Sequence, residues 1–179
     1  MRESGILMHI TSLPAPYGIG TMGKDAYAFV DFLVRAGQRY WQILPLTPTG
    51  YGDSPYQSLG ACAGNHYLID LDRLADEGLL KKEEIQNIPW GSNPARVDFG
   101  AMYAHRMNVL RQAFQRFTPD GAYETFVEQN RSWLEDYALF MSLKDLHQGR
   151  SWHEWSPQYQ VLDTRTRKAA LTELADSIT

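Results

Sequence analysis

A loop rich in hydroxyl groups and aromatic rings, residues Tyr51–Ser58, places the most chemistry-bearing side chains close together in this sequence. It reads Tyr-Gly-Asp-Ser-Pro-Tyr-Gln-Ser, and we call it the central loop. An aromatic ring offers an apolar face on which a sugar can stack, and hydroxyl, amide and carboxylate groups hydrogen-bond with sugar hydroxyls. The composition of the central loop therefore favours a polyhydroxylated ligand, although it names no reaction.

The segments before the central loop predict the elements that position it. Gly5–Ile10 and Tyr40–Leu46 are apolar runs typical of buried strands, and prolines close the second run. Between them, apolar residues at helical spacing predict a helix over Lys24–Ala36, with Gly37 placed to end it. This order predicts two parallel strands joined by a right-handed crossover. Because ligands bind at the carboxyl ends of such strands, the central loop is expected at a binding edge.

The second half of the chain is predicted to be helical. Helices are expected over Leu71–Leu80, from Asp98 as N-cap to Phe117, from Pro119 to His147, and from Asp163 as N-cap to about Ser177. In the helix after Asp98, helical spacing predicts a buried face formed by Met102 or Tyr103, then Met107, Leu110 and Phe114. A loop with Trp152 and Trp155 is expected to pack the helical segment, with a sugar platform as the alternative.

Composition excludes several classes of function. The formal net charge is −4, with acidic and basic residues interspersed, which argues against a nucleic-acid-binding surface. The amino terminus lacks the apolar core of a signal peptide, and no apolar run is long enough to span a membrane. We therefore expect a cytoplasmic protein that binds neither nucleic acid nor a membrane.

The distribution of cysteine and histidine points away from metals and disulfides. The single cysteine, Cys62, excludes an internal disulfide, argues against a structural zinc site, and fits a reducing compartment. It is predicted to be a buried small apolar residue. The five histidines are scattered without metal-ligand spacing, and no cofactor-binding loop is found. No metal and no cofactor are expected.

Four ordered motifs make the sequence similar to a known enzyme family. They are Ser4–Pro14 (Ser-Gly-Ile-Leu-Met-His-Ile-Thr-Ser-Leu-Pro), Pro16–Gly20 (Pro-Tyr-Gly-Ile-Gly), Gly52–Gln57 (Gly-Asp-Ser-Pro-Tyr-Gln) and Ala63–Asp70 (Ala-Gly-Asn-His-Tyr-Leu-Ile-Asp). In this order and spacing they resemble the amino-terminal third of the 4-α-glucanotransferases (amylomaltases, or disproportionating enzymes) of glycoside hydrolase family 77. The similarity is strongest up to Asp70 and looser in the helical half.

The resemblance implies an α/β fold: the start of a (β/α)8 TIM barrel with a mostly helical inserted subdomain. Residues 1–70 would form the first strands and loops of the barrel, 71–160 the helical insertion, and 161–179 a helix leading back towards the barrel. The implied reaction is a retaining transfer of α-1,4-glucan segments between maltodextrins. Its carboxylate nucleophile and carboxylic acid/base lie about 5–5.5 Å apart in retaining enzymes. In the family both lie on later strands, beyond Thr179, so no catalytic residue is assigned here.

The resemblance also implies roles for residues of the central loop. Tyr56 matches the family tyrosine that stacks under the sugar at the scissile bond; the alternative is a core tyrosine at a strand end. Ser54 matches a serine that contacts donor-side sugar hydroxyls; the alternative is a turn residue before Pro55. Tyr51 matches a tyrosine lining a glucan groove away from the scissile bond; the alternative is an exposed loop residue.

Three further polar residues, Asp53, Gln57 and Asn65, are expected to brace the central loop rather than to touch substrate. Asp53 would do so by accepting hydrogen bonds from backbone donors. His9 and His66 are expected to be core histidines with satisfied hydrogen bonds.

Two hypotheses of different class remain, and a third is weaker. The first is the amino-terminal part of a 4-α-glucanotransferase, inactive alone because the paired carboxylates are missing. The second is a stand-alone, non-catalytic glucan-binding module. The third, a different α/β hydrolase complete at this length, lacks a Gly-x-Ser-x-Gly elbow. Two or three strands cannot close a barrel, and the chain stops in or just after a predicted helix, which favours a piece of a longer protein. The expected ligands are α-1,4-glucans and maltodextrins.

Overall fold

The structure of the chain is a computed structural model, which describes residues 2–50, 52–93 and 95–175. The described residues form two compact units, one ending at Thr118 and the other starting at Pro119. The predicted domain boundaries, after residues 70 and 160, refer to a complete barrel and stay a prediction. Within the first unit, Tyr67 and Leu71 belong to one core, so the chain on both sides of residue 70 packs together.

A small parallel sheet confirms the α/β class of the first unit. Strands β1 (Gly5–Leu7) and β2 (Tyr40–Gln42) pair in parallel with Ile6 opposite Trp41, and helix α1 (Lys24–Arg35) connects them. Both strands are shorter than predicted. A strand extends only as far as its partner, and among the described residues each of these strands has the other as its one neighbour in the sheet.

The prediction that these strands are buried is wrong for this chain. The side chains of Ile6, Leu7 and Tyr40 are 40%, 61% and 59% exposed. On helix α1 the apolar residues Tyr27 and Val34 are exposed as well. The sheet and its helix therefore present apolar surface that the described residues leave uncovered, although such surface is normally buried against another layer.

The core of the first unit lies between the segment after β1 and four helical elements. These are a 3₁₀ turn at His66–Leu68 and helices α2 (Leu71–Asp76), α3 (Lys82–Gln86) and α4 (Phe99–Arg116). The largest cluster of buried residues in this unit is Tyr17, Ile19, Tyr67, Leu71, Leu80, Ile85, Trp90, Met102, Val109 and Ala113, and a smaller cluster is Ile10, Leu13 and Leu68. Helix α2 is shorter than its predicted range of Leu71–Leu80 because Gly78 adopts a positive φ of 77° and turns the chain.

The buried face of α4 begins at Met102, one of the two predicted starting residues, and then differs by one residue from the predicted face. Asp98 is the N-cap, as predicted, since its side chain accepts a hydrogen bond from the backbone N–H of Ala101. Tyr103 and Phe114, however, are 49% and 54% exposed. The buried residues are Met102, Arg106, Val109 and Ala113. Because one residue of this buried stripe is an arginine, apolar residues at helical spacing do not reveal the stripe in the sequence.

The second unit is helical, with α5 (Gly121–Leu146), a 3₁₀ turn (Trp152–Glu154), α6 (Pro157–Gln160) and α7 (Thr164–Glu173). Asp163 caps α7 as predicted, whereas α5 starts after the N-cap Asp120 rather than at Pro119. The predicted end of α7 at Ser177 lies outside the described residues. The core consists of Leu139, Leu143, Trp155, Tyr159 and Ala170.

Candidate functional site

The backbone of the central loop is closed at its base by hydrogen bonds across its two ends. The N–H of Leu59 donates to the carbonyl of Pro48 at 3.1 Å, and the N–H of Gly50 lies 3.4 Å from the carbonyl of Gln57. Between these bonds, Thr49 and Ser58 form an isolated antiparallel bridge. The loop is therefore a defined excursion that begins and ends at neighbouring points.

Two tight turns shape the loop inside this base. The N–H of Asp53 donates to the carbonyl of Gly50 at 3.1 Å, and the N–H of Gln57 donates to the carbonyl of Ser54 at 3.0 Å. Asp53 has a positive φ of 55°, a left-handed conformation that is unusual outside glycine but tolerated best by Asp and Asn. The first turn therefore holds the backbone of Asp53 in a left-handed conformation that is unfavourable for most residue types.

The side chains of the second turn point to the surface. Tyr56 is 74% exposed, so the alternative of a core tyrosine does not describe this chain. The Ser54 hydroxyl lies 3.4 Å from the N–H of Tyr56, and Gln57 is exposed. A phenol ring and a serine hydroxyl therefore stand close together at one accessible turn. Tyr51 lies outside the described residues.

Asp53 is held by a side chain from helix α4. The phenol of Tyr103 donates to Asp53 Oδ1 at 3.0 Å and lies 3.2 Å from the carbonyl oxygen of Gly50. This partner differs from the expected backbone donors. The ring of Tyr103 also meets the ring of Tyr67 edge-on, with centroids 6.1 Å apart. The loop is thus connected to the core through Tyr103.

Arg106, one helical turn after Tyr103, is fully buried beside the same segment. Its Nη2 donates to the carbonyl of Tyr67 at 3.1 Å and to the carbonyl of Ile69. Its guanidinium also lies 5.8 Å from the centroid of the Trp90 ring. Burial lowers the pKa of Arg106 to about 10, and the negative charge of Asp70 opposes the shift. Arg106 therefore remains a cation at neutral pH.

Burial and nearby charges shift the pKa values of two neighbouring rings. Burial, with the positive charge of Arg106 as a second cause, lowers the pKa of His66 to about 4. Burial raises the pKa of Tyr67, the charge of Asp53 adds to the rise and that of Arg106 opposes it. His66 is accordingly neutral at pH 7, and Arg106 is the buried side chain next to it that carries a positive charge.

Asn65 and Asp70 act on the segment that follows the loop. The Asn65 side chain accepts from the N–H of Tyr67 at 2.9 Å, and its N–H donates to the carbonyl of Leu46 at 2.7 Å. The Asp70 carboxylate caps α2 through the N–H of Arg73 at 2.9 Å. These bonds order the segment locally, and Asn65 stands beside the central loop rather than within it.

A cavity of about 580 Å³ adjoins this segment. Its walls include Met22, Leu46, Asn65, His66 and Leu74, whereas Ser54 and Tyr56 are not among its lining residues. The cavity is mostly apolar, and the hydroxyl-rich turn lies on the surface instead. The exposed turn is therefore the better candidate for contact with a polyhydroxylated ligand.

Two expectations about single side chains are corrected. Cys62 is exposed instead of buried, since it lies in the bends that follow the central loop. His9 is half-buried, its pKa is lowered by burial, and its Nδ1 has no hydrogen-bond partner among the described residues, so it is not a satisfied core histidine there. Across the described ranges, no group of three or more His, Cys, Asp or Glu side chains is placed to hold a metal ion. In the same ranges no helix has both the length and the apolar character to cross a membrane.

Comparison with known sequences identifies the family. Residues 8–179 match the family profile Glyco_hydro_77, which is described as 4-alpha-glucanotransferase. The chain belongs to glycoside hydrolase family 77. The family resemblance inferred from the four motifs is confirmed, and the match includes the helical half, which contains none of those motifs.

Individual members of family 77 are similar over nearly the whole chain. The 4-alpha-glucanotransferase of Streptococcus pneumoniae serotype 4 is 48% identical over 175 residues, which cover 96% of this chain and 34% of that protein. The 4-alpha-glucanotransferase of Thermus thermophilus is 46% identical over 183 residues, covering 99% of this chain and 36% of that protein. The chain spans about a third of the length of the curated relatives it matches.

A solved family 77 structure has the same fold over this region. The amylomaltase from Streptococcus agalactiae in complex with acarbose superimposes with a TM-score of 0.92 at 42% identity, covering 99% of this chain and 37% of that one. The α/β arrangement of a small parallel sheet and helices is therefore that of the matching part of the amylomaltase.

Sequence reasoning misses two residues of this family 77 region. It assigns Tyr103 to the core and does not single out Arg106, yet the first contacts the loop and the second is buried beside it. The spacing of three between them places both on one side of a helix, which is the signal that the sequence contains. The structure brings Ser54, Asp53, Tyr56 and Gln57 together on one loop.

Proposed function

We propose that this chain forms the amino-terminal part of a 4-α-glucanotransferase, and that it supplies the substrate-binding loop of that enzyme. Family membership supports the reaction class, because the matching relatives are 4-alpha-glucanotransferases. The observation that carries the assignment of the site is the exposed turn with Tyr56 and Ser54. The substrates would be α-1,4-glucans and maltodextrins.

The exposed apolar surface of the sheet supports a part of a (β/α)8 barrel over a stand-alone glucan-binding module. Leu7 and Tyr40 on the strands and Tyr27 and Val34 on helix α1 are all at least half exposed. In a barrel, neighbouring strands and helices cover such positions. A module that works alone would leave this surface in water, where large apolar patches cause association.

The reaction would be a double displacement at the anomeric carbon of a donor glucan. A carboxylate attacks that carbon, the glycosidic bond breaks, and a carboxylic acid protonates the departing 4-oxygen. The 4-hydroxyl of an acceptor glucan then attacks the same carbon, gives its proton to the acid/base and displaces the carboxylate. We propose that both carboxyl groups lie outside this chain.

The residues of this chain would bind and orient the donor. The Tyr56 ring would stack on the face of the sugar at the scissile bond, and the Ser54 hydroxyl would bond to donor hydroxyls. Tyr51 would contact the glucan farther from the scissile bond. Asp53, Gln57 and Asn65 would fix the shape of the loop. The bond to Asp53 supports this role for Asp53, whereas Asn65 would act from the segment that follows the loop.

The proposal is tested with a chimera. This chain replaces the matching amino-terminal third of the Streptococcus pneumoniae 4-alpha-glucanotransferase, and the products formed from maltotriose are separated by chromatography. The chimera should form glucose and a ladder of longer maltodextrins, whereas the isolated chain should form none. The isolated chain is also titrated with maltoheptaose by NMR.

The possible outcomes separate the hypotheses. Product formation by the isolated chain would contradict the assignment of the carboxylates to later strands. A chimera that melts cooperatively but forms no products would contradict the transferase assignment. If maltoheptaose then still shifted the amide signals of residues 52–58 in the isolated chain, the stand-alone module would be the better description.

A further inference from the structure

A cleft of about 420 Å³ opens on the second unit beside the loop that contains Trp152 and Trp155, which we call the tryptophan-rich loop. Both tryptophans line the cleft. Trp155 is 5% exposed and belongs to the core of the unit, whereas Trp152 is 47% exposed. Trp155 therefore serves packing, and Trp152 is the ring that a ligand in the cleft can reach.

Trp152 combines an apolar ring with an unused polar group. The ring of His153 lies tilted against it, with centroids 3.7 Å apart. The indole of Trp155 donates to the carbonyl of Arg150 at 3.1 Å, but the Nε1–H of Trp152 makes no hydrogen bond within the described residues. Trp152 therefore offers a ligand both an apolar surface and a hydrogen-bond donor.

Two acceptor oxygens belong to residues that line the same cleft, Gln160 and Asp136. The Gln160 amide nitrogen donates to the carbonyls of His153 at 2.9 Å and Trp155 at 2.8 Å. Because carbonyls only accept, these bonds fix the orientation of the amide and leave Oε1 as an acceptor. Asp136 Oδ1 accepts from Arg167 Nε at 3.2 Å and Nη2 at 2.6 Å. Among the described residues no donor bonds to Gln160 Oε1 or to the other oxygen of Asp136.

This combination of groups fits a sugar chain better than a purely apolar ligand. The C–H face of a sugar ring can stack on an indole, and sugar hydroxyls can donate to the two oxygens and accept from the indole N–H. Bonds within the protein already hold both acceptor side chains, so binding costs little additional ordering. An apolar ligand would cover these polar atoms without replacing their hydrogen bonds to water, which is unfavourable.

We propose that the cleft is a further carbohydrate-binding site of this chain, which holds an α-1,4-glucan by stacking on Trp152 and by hydrogen bonds to Gln160 and Asp136. The choice of an α-1,4-glucan rests on the proposed function, because that polymer would be the donor. The cleft binds the glucan and takes no part in bond cleavage. It belongs to the second unit, whereas the central loop belongs to the first.

A site of this kind has a defined kinetic signature in the chimera. A long glucan bound in the cleft meets the central loop at a raised effective concentration, whereas a short donor fills one site at a time. Loss of one stacking ring lowers affinity by about fivefold. We therefore expect Trp152→Ala to raise KM for amylose about fivefold and to leave KM for maltotriose and kcat within about twofold.

Binding is measured without catalysis by NMR of the 179-residue chain. Trp152→Phe identifies the indole N–H signal of Trp152. Maltoheptaose should shift this signal and leave that of Trp41, whose indole donates to the carbonyl of Met8 in the first unit. Followed through the side-chain amide of Gln160, Trp152→Ala should weaken binding at least fivefold. Val161→Ala is the matched control, because Val161 is 78% exposed and is not among the residues that line the cleft.

The outcomes decide between this site and its alternatives, once cooperative melting has shown that each variant is folded. An unshifted Trp152 indole, or unchanged affinity in Trp152→Ala, would overturn the proposal. A shift in the isolated chain with no change in KM for amylose in the chimera would also overturn it, since other parts of the enzyme would then cover the cleft. Tyr56→Ala should abolish the amide shifts of residues 52–58 and leave the Trp152 shift. Inactivity of the unmodified chimera would count against the proposed function, and the indole signal would still decide the role of the cleft.

Discussion

Thr21 and Asp70 are joined by a hydrogen bond from Thr21 Oγ1 to Asp70 Oδ2, 2.5 Å long, across 49 residues of sequence. The other carboxylate oxygen of Asp70 caps helix α2 through the N–H of Arg73. Asp70 thus ties the segment before α1 to the start of α2. The contact also explains a glycine at position 23, because a Cβ there would lie 1.9 Å from Asp70 Oδ2.

Gly23→Ala is therefore expected to destabilise the protein. The added methyl group must displace the Asp70 carboxylate, and overpacking of this kind costs about 1–3 kcal/mol. The free energy of unfolding, measured by urea titration, should fall by that amount. Gly64→Ala is the matched control, since a Cβ at Gly64 meets no atom within 4 Å. Equal stability of the two variants would show that Asp70 is free to move.

Local signals in the sequence predict helix starts well, because a cap depends on neighbouring residues only. Asp98 and Asp163 cap α4 and α7 as expected. The face of α4 could not be predicted in the same way. Its buried stripe contains Arg106, and charged residues are seldom buried, so the apolar pattern points one residue further along the helix, to Met107 and Phe114 instead of Arg106 and Ala113. The carbonyls of Tyr67 and Ile69, the charge of Asp70 and the ring of Trp90, all distant in sequence, stabilise the buried guanidinium.

The exposure of the predicted strands has a different cause. Local composition gives the tendency of Ile6 and Leu7 to form a strand, but burial depends on which other layers cover it. The described residues cover these two side chains only in part, since they are 40% and 61% exposed. The same limit applies to Tyr56, whose exposure follows from the turn and not from its residue type.

His66 should make the first unit less stable in mild acid. Its pKa is near 6.5 in the unfolded chain and about 4 in the folded protein. Above pH 6.5 both states are neutral and no cost arises. As the pH falls from 6.5 to 4, the unfolded state binds a proton that the folded state refuses, so stability decreases, by about 2–3 kcal/mol in total.

His66→Gln is the variant that isolates this effect. It should flatten the dependence of unfolding free energy on pH between 7 and 4, when unfolding in urea is followed through the amide signals of residues 60–80. His153→Gln, which replaces an exposed imidazole in the second unit, should leave the dependence as it is. If the slope persists in His66→Gln, burial of His66 is not its source.

Tyr56 should matter for glucan transfer but not for stability. Because its ring is 74% exposed, Tyr56→Ala should change the unfolding free energy of the chain by less than about 0.5 kcal/mol. In the chimera, loss of the stacking ring should lower kcat/KM for maltotriose by about 30-fold, equivalent to about 2 kcal/mol. Tyr56→Phe keeps the ring and should retain activity within about threefold. Full activity of Tyr56→Ala would remove Tyr56 from the site.

His147 in the second unit has a tautomer that its neighbours determine. Its Nδ1 lies 2.7 Å from the carbonyl oxygen of Leu143, which can only accept, and the N–H of Ser156 points at its Nε2 at 3.1 Å and can only donate. Nδ1 must therefore carry the proton and Nε2 must be bare. The ring also stacks on Trp155, with centroids 5.2 Å apart. In this way the end of α5 fixes the tryptophan-rich loop.

Ring-nitrogen NMR of the chain at neutral pH should accordingly find the proton of His147 on Nδ1. His147→Phe keeps a ring for Trp155 but loses both polar contacts, and we expect the second unit to lose about 1–2 kcal/mol of stability. His153→Phe is the control, because that imidazole is exposed and lies tilted against the ring of Trp152. A proton found on Nε2 would place two donors face to face at Ser156, and this account of how α5 holds the loop would then be wrong.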